Sequence, residues 1–121
     1  HSDKKEALPD ETALAALNAA LTYVDENYAQ SISMAEAARQ AGMSYTAFSR
    51  FFKNYIQRSF SEYLLLTRLK KAAVLLSESD RSVTDIAMET GFSTTSYFIK
   101  RFREYQGTTP KQFRNWFRQT P

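Results

Sequence analysis

The chain repeats part of itself at a period of about 50 residues, and this repeat limits the folds that it can adopt. Residues 37–44 (Ala-Ala-Arg-Gln-Ala-Gly-Met-Ser) align with residues 86–93 (Ile-Ala-Met-Glu-Thr-Gly-Phe-Ser) at an offset of 49. After one inserted residue the offset becomes 50, which pairs Phe48 with Phe98, Arg50 with Lys100, Phe52 with Phe102, Lys53 with Arg103, and Tyr55 with Tyr105. Two copies are too few for a solenoid, so the repeat predicts two equivalent modules.

Each copy has the pattern of a short helix, a tight turn and a second helix. A small residue, Ala38 or Ala87, permits the close approach of another helix. Four residues later, Gly42 or Gly91 permits the left-handed backbone that ends a helix. A serine then restarts a helix with aromatic residues on one face and basic residues on another. The pattern is typical of a helix-turn-helix, and two copies in register are more specific than one.

The remaining residues also predict helices, because no segment alternates with period 2 and apolar residues recur every three or four positions. The predicted fold is all-α, with about seven helices and two helix-turn-helix modules joined by a long linking helix. Helices are expected from Asp10 to about Tyr28, from Ser33 to Gly42, from Ser44 through Ile56, from Phe60 to about Ser77, around Ile86 up to Gly91, from Ser93 or Thr94 to Gly107, and from Pro110 through Phe117. The serines and threonines at these starts are expected to act first as caps.

The domain boundaries follow from these helices. Residues 1–9 are expected to be a linker or a remnant of cloning, which leaves residues 10–121 as one domain. Module one covers about 10–58, the linking helix about 60–77, and module two about 82–119. The aromatic residues recur at helical spacing and are therefore expected in the core; they are Phe48, Phe52, Phe98, Phe102, Tyr105, Phe113, Trp116 and Phe117.

Composition excludes several classes of function. The chain has no cysteine and a single histidine, His1, so thiolate zinc sites, thiol nucleophiles and histidine metal clusters are not expected. No nucleophile–base pair is recognisable, and we expect neither an enzyme nor a bound cofactor or metal. No apolar run approaches the roughly 20 residues of a membrane span, and no secretory signal is visible. These features favour a cytoplasmic protein.

Charge is distributed unevenly along the chain. Residues 1–40 hold three basic and seven acidic side chains, a net charge of −4. Residues 41–121 hold thirteen basic and six acidic side chains, a net charge of +7. This asymmetry favours a polyanionic partner for the last two-thirds of the chain, although a merely solvated basic surface remains an alternative.

The chain resembles the DNA-binding domain of the AraC/XylS family of bacterial transcription regulators over about residues 12–119. The resemblance rests on residues 37–44, on Phe-Ser-Arg-Phe-Phe-Lys at 48–53, on residues 91–103, and on Gly-Thr-Thr-Pro at 107–110 followed by Phe113 and Arg114. The chain departs from the family at Ile99, Lys100 and Gln57, where serine, arginine and glycine are usual.

The resemblance implies a reader of double-stranded DNA that inserts two modules into successive major grooves. A linking helix of about 18 residues would be roughly 27 Å long, against roughly 34 Å between equivalent groove positions. The second helix of each module would face the bases, and its family base-reading positions fall on Thr46, Ser49 and Arg50 in module one. The full set of candidate DNA-binding residues is Tyr45, Thr46, Ser49, Arg50 and Lys53 in module one, and Thr94, Thr95, Ser96, Ile99, Lys100 and Arg103 in module two.

Further expectations concern partners. Arg58 and Arg114 are candidates for phosphate contact. The family consists mostly of activators, which implies RNA polymerase as a second partner. The sensing domain that commonly precedes this domain in the family is not among these residues, so no small-molecule ligand is expected here. The competing interpretation is a helical protein-interaction module, which would show little salt-sensitive affinity for DNA.

Overall fold

The computed structural model describes residues 11–119, and these residues form seven helices and no strand. The helices are α1 (Glu11–Asn27), α2 (Met34–Gln40), α3 (Tyr45–Ile56), α4 (Phe60–Glu78), α5 (Val83–Glu89), α6 (Thr95–Gln106) and α7 (Pro110–Gln119). The predicted all-α fold with seven helices is confirmed. The predicted start of the first helix at Asp10 lies outside the described residues. Within them, no helix is both long enough and apolar enough to span a membrane.

Backbone contacts divide the described residues into two compact units, residues 11–26 with 32–60 and residues 27–31 with 61–119. In the first unit α2 packs against α3. Its core includes Phe48, Phe52 and Phe60, whose ring centroids lie 5.6 to 5.9 Å apart. Ala37 and Ala38 of α2 are also buried, which agrees with the predicted close helix approach.

In the second unit α5 packs against α6, and α6 packs against α7. Phe98 and Phe102 are fully buried, together with Leu69 and Leu76 of α4 and Ile86 of α5. Phe102 lies edge-on to Phe113 of α7 with centroids 5.4 Å apart. Each unit is therefore built around the aromatic pair that the repeat places four residues apart on its second helix.

Three aromatic residues predicted in the core are largely exposed. Tyr105, Trp116 and Phe117 expose 42%, 59% and 43% of their surface, so this part of the core prediction is wrong. Phe113 packs against the core of the second unit, whereas Phe117 packs against Phe113, and Trp116 packs against Phe117, each with ring centroids 4.9 Å apart. Helical periodicity predicts that α7 has an apolar face, but it does not predict how much of that face a neighbouring helix covers.

Candidate nucleic-acid interface

The same turn precedes α3 and α6. After α2, Gly42 has φ 72°, its N–H donates to Arg39 O (3.0 Å), and Met43 N–H donates to Ala38 O (2.9 Å). After α5, Gly91 has φ 101°, and the N–H groups of Gly91 and Phe92 donate to the carbonyls three and five residues earlier. Both turns are Schellman motifs, which end a helix with a left-handed residue and satisfy its last carbonyls.

A hydroxyl then starts each of the two following helices. Ser44 Oγ accepts from Ala47 N–H (3.3 Å), and Thr94 Oγ1 accepts from Tyr97 N–H (3.1 Å). The structure thus selects Thr94, rather than Ser93, as the cap of α6. Thr94 was also predicted to contact DNA, and its side-chain oxygen takes part in the cap.

The candidate residues of module one share one exposed face of α3. Thr46, Ser49, Arg50 and Lys53 are spaced by three and four residues, which places them on the same side of the helix. Tyr45 is 58% exposed, so it does not serve as a cover for the core. The opposite side of α3 carries the buried Phe48 and Phe52. The aromatic core therefore fixes which side chains α3 presents to solvent.

The candidate residues of module two occupy the corresponding positions of α6 but are less uniformly exposed. Ser96, Lys100 and Arg103 are exposed, whereas Thr95 and Ile99 are half-buried. Ile99 packs against the core cluster of the second unit. Arg101, on another side of α6, forms an ion pair with Glu104 (Nε to Oε1, 3.0 Å), as expected for a residue turned away from the candidate face.

The basic residues of the described chain include two groups that differ in their partners. Arg39, Arg81, Arg101 and Arg118 are paired with acidic side chains. Among the described residues, Arg50, Lys53, Lys100 and Arg103 are exposed and take part in no ion pair. Charges without an acidic partner are the ones available to a polyanion, so the structure leaves both candidate faces electropositive.

Arg114 has a role that sequence reasoning missed. Its guanidinium donates to Leu76 O (3.0 Å), Ser79 O (3.2 Å) and Arg81 O (2.6 Å), which closes the carboxyl end of α4 and the connection to α5. This arginine was a candidate for phosphate contact, and its Nε and Nη2 atoms donate to backbone carbonyls of its own unit.

Two further arginines hold backbone segments in the same way. Arg68 donates to Tyr28 O (2.7 Å) and Gln30 O (2.8 Å), and burial lowers the pKa of its side chain. Arg118 donates to Ser79 O (3.1 Å) and Asp80 Oδ1 (2.5 Å). The two arginines are 50 residues apart, and the carbonyls that they contact, Gln30 O and Ser79 O, are 49 residues apart. The contacts are therefore equivalent in the repeat, and the repeat is the sequence signal that predicts them as a pair.

The family profile described as a helix-turn-helix domain matches residues 37–115 of the chain. Among curated proteins, the chain is 30% identical over 98 residues to an uncharacterised HTH-type transcriptional regulator of Staphylococcus aureus. That alignment covers 81% of this chain and 13% of the relative. The chain therefore spans only a small part of the length of that relative.

Two solved structures are also similar. A transcriptional regulator of Chromobacterium violaceum with an AraC-type DNA-binding domain superposes with a TM-score of 0.83 at 27% identity, covering 93% of this chain and 100% of that one. The DNA-binding domain of AdpA, a global transcriptional factor, was solved with a target DNA. It superposes with a TM-score of 0.80 at 26% identity, covering 84% of this chain and 92% of that one.

Proposed function

The chain belongs to the AraC-type helix-turn-helix family of DNA-binding transcription regulators, and from this membership we propose that α3 and α6 enter successive major grooves of one duplex. The observation that carries the proposal is the repeated geometry. The same Schellman turn and hydroxyl cap precede α3 and α6, and both helices present basic side chains that form no ion pair with any described residue. Members of this family regulate transcription and are not enzymes.

On this proposal, the contacts divide by chemistry. Arg50 has the planar fork that matches the two acceptors of a guanine edge, so it is the candidate for direct base readout. Thr46, Ser49 and Ser96 offer short hydroxyls to bases or phosphates. Lys53, Lys100 and Arg103 supply charge toward the phosphate backbone.

A salt series of duplex binding tests the proposal. If Lys53, Lys100 and Arg103 each neutralise a phosphate, log Kd should rise with the logarithm of the salt concentration with a slope of about 2.7. Between 50 and 200 mM salt, binding should therefore weaken about 40-fold. Lys53→Ala should reduce the slope by about 0.9, and Lys70→Ala on α4 serves as the matched surface control. A flat salt dependence would contradict DNA binding and favour the protein-interaction alternative.

The regulatory outcome is a finer proposal. The family resemblance favours an activator that contacts RNA polymerase at promoters, and such a role would place the protein in the cytoplasm. A reporter gene behind a selected binding site tests this directly. Expression that rises with the protein supports activation, whereas expression that falls would make the protein a repressor.

A further inference from the structure

The candidate faces of α3 and α6 differ at three positions of the repeat, two of which are adjacent. At an offset of 50, Ser49 corresponds to Ile99 and Arg50 corresponds to Lys100. The flanking positions keep their chemistry, with hydroxyls at Thr46 and Ser96 and cations at 53 and 103. The third difference is at the start of each helix, where Tyr45 corresponds to Thr95, so two of the three differences lie at the centre of each face.

Net charge does not distinguish the two helices. Helix α3 carries Arg50 and Lys53 and no acidic residue, a net charge of +2. Helix α6 carries three cations and Glu104, which also gives +2. Attraction to phosphate depends on charge and not on sequence, so both helices should contribute comparably to general affinity for DNA.

Hydrogen-bonding capacity does distinguish them. The exposed hydroxyl of Ser49 is replaced by the aliphatic side chain of Ile99, which is half-buried and packs against the core of its unit. Ile99 can neither donate nor accept a hydrogen bond, so it can offer a base only an apolar contact. Lys100 is a point charge without the planar fork that lets arginine recognise guanine in a fixed orientation.

Exposure follows the same division. The five candidate side chains of α3 are all exposed, and Tyr45 alone exposes 58% of its surface. Its counterpart Thr95 is half-buried, as is Ile99, which leaves Ser96, Lys100 and Arg103 as the exposed candidates of α6. Helix α6 therefore presents fewer groups that could tell one base pair from another.

We infer that the two modules divide the work of recognition: α3 reads base sequence, and α6 is a sequence-tolerant anchor that binds mainly the phosphate backbone. The inference rests on the proposed function, since it concerns how a protein that binds duplex DNA distinguishes one base sequence from another. It names Ser49 and Arg50 as the residues that set specificity, and Ile99 and Lys100 as the residues that relax it.

A substitution scan of a selected site tests the inference. Binding sites are first selected from random duplex DNA, and every base pair is then changed singly and assayed by competition. The half-site under each helix is mapped by attaching a DNA-cleaving reagent to Asn54→Cys or Glu104→Cys, matched exposed positions in a chain without native cysteine. Changes under α3 should weaken binding by about 5- to 150-fold per contacted base pair, and changes under α6 by less than about threefold. Equal losses under both helices would overturn the inference.

Exchange variants provide the reciprocal test. Lys100→Arg, alone and with Ile99→Ser, should introduce discrimination under α6, whereas Arg50→Lys with Ser49→Ile should reduce it under α3. Thermal unfolding checks that each variant is folded. If Ile99→Ser disturbs the core, the single variant Lys100→Arg, which changes only an exposed side chain, still tests the inference. If Lys100→Arg does not change how base-pair substitutions under α6 affect binding, this result counts against the inference. If the unmodified chain shows no salt-dependent binding to duplex DNA, the proposed function itself is overturned.

Discussion

Gln57 ends α3 in a left-handed backbone conformation that side chains other than glycine rarely adopt. Its φ is 67°, its N–H donates to Lys53 O (2.9 Å), and its side-chain amide donates to Asn54 O (2.6 Å). Gly107, 50 residues later, ends α6 with φ 84°. The first module therefore carries a backbone strain at this turn that the second avoids. The hydrogen bond from the side-chain amide of Gln57 offsets only part of this strain.

Replacing Gln57 should stabilise the protein. We expect Gln57→Gly to raise the free energy of unfolding by about 0.5–1 kcal/mol, since relief of the left-handed strain outweighs the added freedom of the unfolded chain. Urea unfolding followed by circular dichroism measures the change. The reverse substitution, Gly107→Gln, is the matched control, because a Cβ there meets no atom of the described residues within 4 Å and only the backbone conformation is tested. An unchanged stability in both variants would show that these turns are not strained.

At the level of helices, the carboxyl end of α4 depends on a residue of α7. Arg114 donates to the carbonyls of Leu76, Ser79 and Arg81 at the carboxyl end of α4 and in the connection that follows it, and Ser79 O also accepts from Arg118. We expect Arg114→Met to lower the free energy of unfolding by about 1.5–3 kcal/mol, the range for hydrogen bonds that involve a charged group. Chemical unfolding provides the measurement. Arg58→Met removes an exposed arginine and should cost less than about 0.5 kcal/mol.

DNA binding by Arg114→Met tests whether Arg114 also contacts a phosphate. At temperatures where this variant and the unmodified chain are both folded, the salt slope of Arg114→Met should match that of the unmodified chain. A slope lowered by about 0.9 would show that Arg114 also neutralises a phosphate.

The helices themselves were largely predictable, because helix starts and stops depend on neighbours in sequence. Ser33 and Ser44 each accept from the backbone N–H three residues later, as their positions predicted. Thr109 and Gln112 go further and cap one another reciprocally. The partners of Arg114 lie 33 to 38 residues away in the chain, and no local pattern assigns them. For the same reason, the exposure of Trp116 could not be read from spacing alone.

For the chain taken together, binding and folding should be coupled. A duplex that binds only the folded protein stabilises it, by about 2.7 kcal/mol when the free duplex is at 100 times Kd. The gain should disappear at high salt, because the phosphate contacts on which affinity depends are screened. Thermal unfolding with and without duplex, at low and high salt, measures the effect. A gain that persists unchanged at high salt would contradict an electrostatic mode of binding.

The charge asymmetry that favoured a polyanionic partner now has a structural location. The +7 of residues 41–121 includes the four cations of α3 and α6 that form no ion pair within residues 11–119, together with arginines that pair with acidic side chains. Sequence alone gives the total, and only the three-dimensional partners separate the two groups.

Trp116 is the single tryptophan of the chain, and its indole is 59% exposed on α7, edge-on to Phe117 at 4.9 Å. A fluorophore that already faces water in the native state shifts its emission little when the chain unfolds. Tryptophan fluorescence should therefore be a poor reporter of stability here, and circular dichroism the better one. The same exposure makes the emission of Trp116 a built-in sensor for any molecule that covers α7, read without labels and without competing signal from a second indole.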